Sequence, residues 1–193
     1  MQPLILASAS PRRAQLLRQI GLRFQVAVSR AVEVLPSGAA PPEKIVMDLA
    51  TAKVREVASK WPKGLIIGAD TLVFLENTCL GKPQSAAEAV TMLTRLSGKT
   101  HQVFTGLCVL EQVANRLIND FAMTEVVFRP LDQSEIEAYV RTGEPFDKAG
   151  AYGIQGRGAL LVEKINGCYF NVVGLPLGKL GVILRELGFP IWD

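Results

Sequence analysis

The chain of 193 residues has one histidine, three cysteines and no run of like charge. The single histidine, His101, excludes a His-rich metal site, so any bound metal takes oxygen ligands, which favours hard cations such as Mg2+ or Mn2+. Cys79, Cys108 and Cys168 are far apart, odd in number and without a CxxC pair, which excludes a disulfide framework and a zinc ribbon and leaves reduced core thiols. No apolar run reaches transmembrane length, and no basic segment with an apolar h-region opens the chain. A soluble cytoplasmic protein with no membrane partner is the expectation. The net charge is only +3, and no basic stripe is interleaved with aromatics. Nucleic acid is therefore not an expected partner, whereas a small anion held by a few local cations fits the balance. The motifs GxxxxGK[ST], GxGxxG, GxSxG and HExxH are all missing, which points away from common ATPases, dehydrogenases, serine hydrolases and zincins.

What is present is a 49% hydrophobic chain, long enough for one medium domain or two small lobes sharing a sheet. Leu4 to Ala7 reads as a buried strand, and Ser10 with Pro11 as the cap and first position of a helix running to about Ile20. Phe24 to Val28 reads as a strand, Leu35 to Pro42 as a loop, and Pro42 to Lys60 as a helix. The continuous apolar run Leu65 to Ala69 suggests a strand covered on both faces, continuing through Thr71 to Leu75. Ser85 with Glu88 forms a capping box for a helix ending near Gly98, and Asp132 with Glu135 starts another ending at Gly143. Strands are expected at about Gln102 to Leu110 and Phe121 to Phe128. A hairpin turning at Asn166-Gly167 has Leu160 to Ile165 and Tyr169 to Val173 as its arms, and Pro176 opens the last helix. The mixture without strict βαβ alternation gives an α/β fold with a mixed sheet flanked by helices.

Several residues sit where ordinary folding does not want them. Ser8-Ala9-Ser10-Pro11-Arg12-Arg13 puts two arginines in the first helical turn, where acids are the norm. They are either a solvated helix start or an anion cradle, in which Ser8 and Ser10 add hydroxyls and Arg12 and Arg13 add guanidinium forks. Lys53 falls inside the apolar arc of Val46, Leu49, Ala50 and Val57 at 100° per residue, so it either snorkels out or meets a buried anion. Asp70 follows Leu65-Ile66-Ile67-Gly68-Ala69, where a carboxylate is costly unless it caps a turn, pairs or binds metal. Lys82 in Gly81-Lys82-Pro83 and Glu33 in an otherwise apolar stretch are weak signals alone, and His101 reads as structural. The Gly-rich run from Phe146 to Gly158 surrounds Gln155, whose amide can both donate to and accept from a base edge; the alternative is a long flexible loop.

Together, Ser8–Arg13, Gly68–Thr71, Gly81–Pro83, Ser97–His101, Asp147–Gly156 and Asn171–Leu177 resemble the Maf family of nucleotide pyrophosphatases, in the family's order along the chain. The resemblance implies a single domain related to the inosine-triphosphatase-like fold. It also implies cleavage of a nucleoside triphosphate to monophosphate and pyrophosphate, a divalent metal, a cytoplasmic setting and a homodimer. Asp70 matches the family's proton acceptor. Arg12, Thr71 and Gln155 match positions that mark substrate choice, here in the form of the branch acting on dTTP and UTP. On this expectation Ser8, Ser10, Arg12 and Arg13 hold phosphate oxygens, and Lys53 and Lys82 neutralise developing charge. Asp70 and Glu33 bind metal or activate water, and Gln155 reads the pyrimidine. Many members carry an acidic pair before the first long loop, whereas here Val32 precedes Glu33. The competing expectation is a nucleotide-binding regulator of septum formation with little turnover.

Overall fold

The computed structural model describes residues 2–32 and 40–192. Glu33 and most of the expected 35–42 loop lie outside the described residues. Helices form at each of the expected places and at one expected as a strand. They are α1 (Pro11–Gln19), α2 (Pro42–Ala58), α3 (Ala86–Leu96), α4 (Gln133–Arg141), α5 (Tyr169–Val173) and α6 (Leu177–Glu186). Strands are β1 (Leu4–Leu6), β2 (Gln25–Val26), β3 (Leu65–Leu75), β4 (Thr78–Leu80), β5 (Thr100–Glu111), β6 (Arg116–Phe128) and β7 (Val162–Asn166). They build one seven-stranded sheet in the order β2-β1-β3-β5-β6-β7, with β4 paired to β3. The sheet is mixed, as expected: β1 runs parallel to β2 and β3, while β4 is antiparallel to β3 and β7 antiparallel to β6.

The chain divides into two compact units. One comprises Met1–Asp70, Thr105–Ala122 and Gly174–Asp193, the other Thr71–Phe104 and Met123–Val173. The chain crosses from one to the other inside β3, β5 and β6, and once more directly after α5. In the first unit, Ile5, Ala7 and Ile66 of the parallel strands pack with Ala50, Val54 and Val57 of α2 and with Cys108 and Leu110 of β5. In the second, α3 contributes Ala89, Met92, Leu93 and Leu96, and α4 contributes Ile136, Tyr139 and Val140, to a core with Val73, Leu80, Val126 and Phe128.

The caps at Ser85 and Asp132 form. Ser85 Oγ accepts from Glu88 N–H at 3.1 Å and Asp132 Oδ1 from Glu135 N–H at 2.8 Å. The Glu88 carboxylate reaches back to Gln84 N–H at 2.7 Å. Ser10 holds the cap position of α1 but does not cap with its side chain. Its N–H donates instead to Ser8 Oγ at 3.2 Å.

The expected hairpin after β7 is corrected. Tyr169–Val173 is the helix α5, and Gly156–Leu161 is a 3-10 turn, not the start of a strand arm. The cause lies in β6. Thr124 Oγ1 accepts from Cys168 N–H at 3.0 Å and donates to Cys168 O at 3.2 Å. Buried Asn171 then donates to Thr124 Oγ1 at 2.9 Å and to Val103 O at 3.0 Å, which fixes one helical turn.

Candidate active site

In the first unit, strand pairing brings the predicted residues into one neighbourhood. The parallel register Leu6↔Ile67 continues through Ala7 N–H donating to Ile67 O at 2.7 Å. β1 then leaves the sheet through Ser8 while β3 runs on through Asp70. The α1 start and Asp70 thus both lie just past the point where β1 ends and its parallel pairing with β3 stops, on the carboxyl side of β1, where open α/β sheets place ligands.

Side chains on β3 alternate, so Ile66, Gly68 and Asp70 share a face. That face meets α2. A Cβ on Gly68 would lie 2.5 Å from Val54 Cγ2 and 2.8 Å from Ala50 O. One on Gly106 of β5 would lie 2.2 Å from Val46 O. Two glycines therefore let the helix backbone lie directly on the sheet, and Lys53 is carried over Asp70. The Lys53 ammonium donates to Asp70 Oδ1 as a largely buried ion pair, with side-chain exposures of 12% and 8%. Of the two outcomes open to Lys53 from sequence, pairing with a buried anion is the one the fold adopts. Losing either partner would leave a buried charge unpaired. The close approach at Gly68 has one sequence signal, a glycine interrupting an apolar strand, which does not by itself say what approaches.

Arg13, the third helical residue, is buried. Its Nε donates to Gly174 O at 2.7 Å and its Nη1 to Ser8 Oγ at 3.1 Å. Ser8 Oγ, itself buried, accepts from both Arg13 and the Ser10 N–H. With two acceptor positions filled, its own O–H is turned to donate. Arg12 and Ser10 are half-buried on the first turn. No acidic residue lies in that turn.

The remaining predicted residues belong to the second unit. Thr71 follows Asp70 directly and is half-buried. Lys82 is exposed on the turn leaving β4, and Gln155 is half-buried in the Gly-rich segment. Gly150 N–H donates to Gly81 O at 3.0 Å, so the two loops carrying Lys82 and Gln155 are tied together. Gly150 has φ +69, and a Cβ there would touch Val73 at 3.0 to 3.2 Å. The Gly-rich run is thus a series of short 3-10 turns rather than a flexible loop. His101 is structural: its Nε2 lies 2.7 Å from Tyr152 Oη, and its ring packs edge-on against Phe128 and Tyr152 at 5.0 and 5.3 Å.

No group of three or more His, Cys, Asp or Glu side chains among the described residues is placed to hold a metal. Asp70 is the acidic candidate they contain. Mg2+ commonly takes one or two carboxylates and completes its shell with substrate phosphates and water. A donor set of one or two carboxylates fits a metal that arrives with a polyphosphate.

These features define a mixed α/β protein with a basic helix start beside a buried lysine–aspartate pair. The chain belongs to the Maf family: the model described as "Maf-like protein" matches residues 3–187. A Moorella thermoacetica protein named dTTP/UTP pyrophosphatase is 52% identical over 192 residues, covering 100% of this chain and 98% of that one. Another of that name, from Caldicellulosiruptor saccharolyticus, is 46% identical over 195 residues, covering 99% and 98%. Among solved structures, a Mycobacterium abscessus nucleoside-triphosphatase titled dITP/XTP pyrophosphatase aligns over 95% of this chain and 94% of its own. It is 12% identical with a TM-score of 0.45, a likeness too weak to build on.

Proposed function

We propose that this protein hydrolyses dTTP and UTP to the monophosphate and pyrophosphate. The observation that carries the reading is the buried Lys53–Asp70 pair beside the α1 start, where the parallel pairing of β1 and β3 ends. The names of full-length relatives at 46 and 52% identity support the substrate class.

Water attacks a phosphorus of the α–β anhydride, the bridging P–O bond breaks, and Asp70 takes the water's proton. Positioning and charge neutralisation supply most of the catalysis in such transfers. Ser8 O–H, Ser10 and Arg12 bind phosphate oxygens at the α1 start, where backbone N–H groups also face outward. Arg13 acts from behind: it holds Ser8 against the 174 carbonyl and leaves a positive field at the site. Lys53 and Lys82 offset charge developing on the phosphates. A divalent metal, Mg2+ or Mn2+, held by Asp70 and by Glu33, would neutralise phosphate charge and lower the pKa of bound water. Thr71 and Gln155 select the base, with the Gln155 amide paired to the pyrimidine edge. As the family likeness implies, the protein is a cytoplasmic homodimer acting on free nucleotides. Among the described residues no helix is long and apolar enough to cross a membrane.

The test is purified protein with Mg2+ or Mn2+ and dTTP, UTP, CTP or GTP supplied separately, with released pyrophosphate measured and products identified. Pyrophosphate from dTTP and UTP well above GTP is expected; equal rates on purine and pyrimidine triphosphates contradict the assignment. Thermal stabilisation by UTP without any pyrophosphate release would instead mark a nucleotide-binding regulator. Light scattering reads the dimer.

A further inference from the structure

Gln155 begins the 3-10 turn Gly156–Leu161 in the cap position, yet its side chain makes no capping hydrogen bond. The work is done from another element. Glu144 Oε1 accepts from Gly158 N–H at 3.0 Å and from Tyr139 Oη–H at 3.0 Å. Glu144 Oε2 accepts from Arg157 N–H at 3.1 Å. Two successive backbone N–H groups thus close around one carboxylate, the arrangement of an anion nest. Tyr139 Oη also accepts from Gly153 N–H at 3.4 Å, so the far side of the segment is held as well.

The fit leaves no slack. Gly156 has φ +68, and a Cβ there would lie 2.9 Å from Glu144 Oε2. One on Gly158 would lie 2.2 Å from Gly153 O and 2.7 Å from Tyr139 Oη. Glu144 is itself anchored: its N–H donates to Thr142 Oγ1 at 3.2 Å, and its carbonyl accepts from Lys148 Nζ at 2.5 Å. Residues 154–156 are therefore bracketed by fixed backbone on both sides.

We propose that Glu144, with Tyr139 behind it, is a positioning residue for base selection: by capping the 156–161 turn in place of Gln155, it leaves the Gln155 amide to read the nucleobase and fixes where that amide points. This rests on the proposed role of Gln155. Removing the carboxylate does not remove a substrate contact; it gives the Gln155 backbone alternatives and gives its side chain a competing task as the cap of its own turn.

The test compares wild type, E144Q, Q155A and E144Q/Q155A. Equilibrium binding of UTP and GTP is measured without divalent metal, and kcat and KM are measured with it. In E144Q one carboxylate oxygen becomes an NH2 facing backbone N–H groups. Preference for UTP over GTP should fall roughly three- to tenfold, the size of one lost hydrogen bond. KM for UTP should rise while kcat stays within about twofold. The double variant should be no less selective than Q155A, because Glu144 acts through Gln155. Loss of selectivity in Q155A but not in E144Q, or full additivity in the double variant, overturns the inference alone. Unchanged selectivity in Q155A overturns the Gln155 reading and this inference with it. A wild type that binds UTP over GTP but releases no pyrophosphate overturns the catalytic reading, and the binding arm still decides on Glu144. Should E144Q not fold, Y139F removes a donor to Oε1 and the acceptor of Gly153 N–H. It should shift selectivity in the same direction, and unchanged selectivity in it overturns the inference.

Discussion

Lowering the pH from 7.5 to 5 should destabilise this protein through one side chain. His101 is 2% exposed. Its Nε2 meets Tyr152 Oη, while its Nδ1 has no hydrogen-bond partner among the described residues. A protonated ring would carry a buried charge and an N–H without an acceptor. Burial accordingly pushes its pKa down from 6.5 to about 4. Between those values the unfolded chain binds more protons than the folded one, so stability is intact above about 6.5 and is lost as pH falls toward 4. At pH 5 the loss is about 2 kcal/mol, approaching roughly 3 kcal/mol below pH 4. For a chain of this size it corresponds to about 4–8 °C in Tm. Because His101 is the only histidine, the experiment needs one control, H101F, which fills the same ring-packed site and cannot titrate. H101F deprives the buried Tyr152 hydroxyl of its partner and starts out less stable, so the comparison is of pH slopes in urea unfolding at 7.5, 6.5, 5.5 and 5. The wild type should lose about 2 kcal/mol more than H101F over that range. Parallel slopes would refute the reasoning.

Two further changes test how the first unit positions its side chains. G68A forces a Cβ to within 2.8 Å of the Ala50 carbonyl, so α2 must move off β3; a cost of about 1–3 kcal/mol and at least a tenfold loss of pyrophosphate release are expected. Unchanged activity in G68A would show that Lys53 does not depend on this contact. R13K keeps the charge but not the fork joining Ser8 Oγ to Gly174 O, and should cost about 1–3 kcal/mol by urea unfolding; wild-type stability would mean the brace is idle.

Much of this arrangement can be read from residues whose burial conflicts with their chemistry. Lys53 in an apolar helical arc and Asp70 in an apolar strand each demand a partner, and the two demands are met by each other. The strand–turn–helix at Ser8 to Arg13 follows from Pro11 and the apolar run before it. Other features depend on long-range contacts that periodicity does not carry. Tyr169–Val173 has strand-like composition, but Thr124, over forty residues away, captures Cys168 and Asn171 and bends the chain into a helix. Arg13 reads as a phosphate fork, whereas the structure engages its Nε with a carbonyl 161 positions along the chain. Glu144 has no sequence signal at all, since two of its carboxylate's partners are backbone N–H groups thirteen and fourteen residues on, and the third is the Tyr139 hydroxyl.

In the proposed mechanism Asp70, held by Lys53, takes the proton of the attacking water. D70N keeps the shape and an oxygen for Lys53 to donate to, and removes both the base and the carboxylate charge that would hold the metal. Pyrophosphate release from UTP, measured at saturating nucleotide and metal, should fall by roughly 10²-fold or more in D70N, while UTP binding without metal is retained. Turnover close to wild type in D70N would contradict the account.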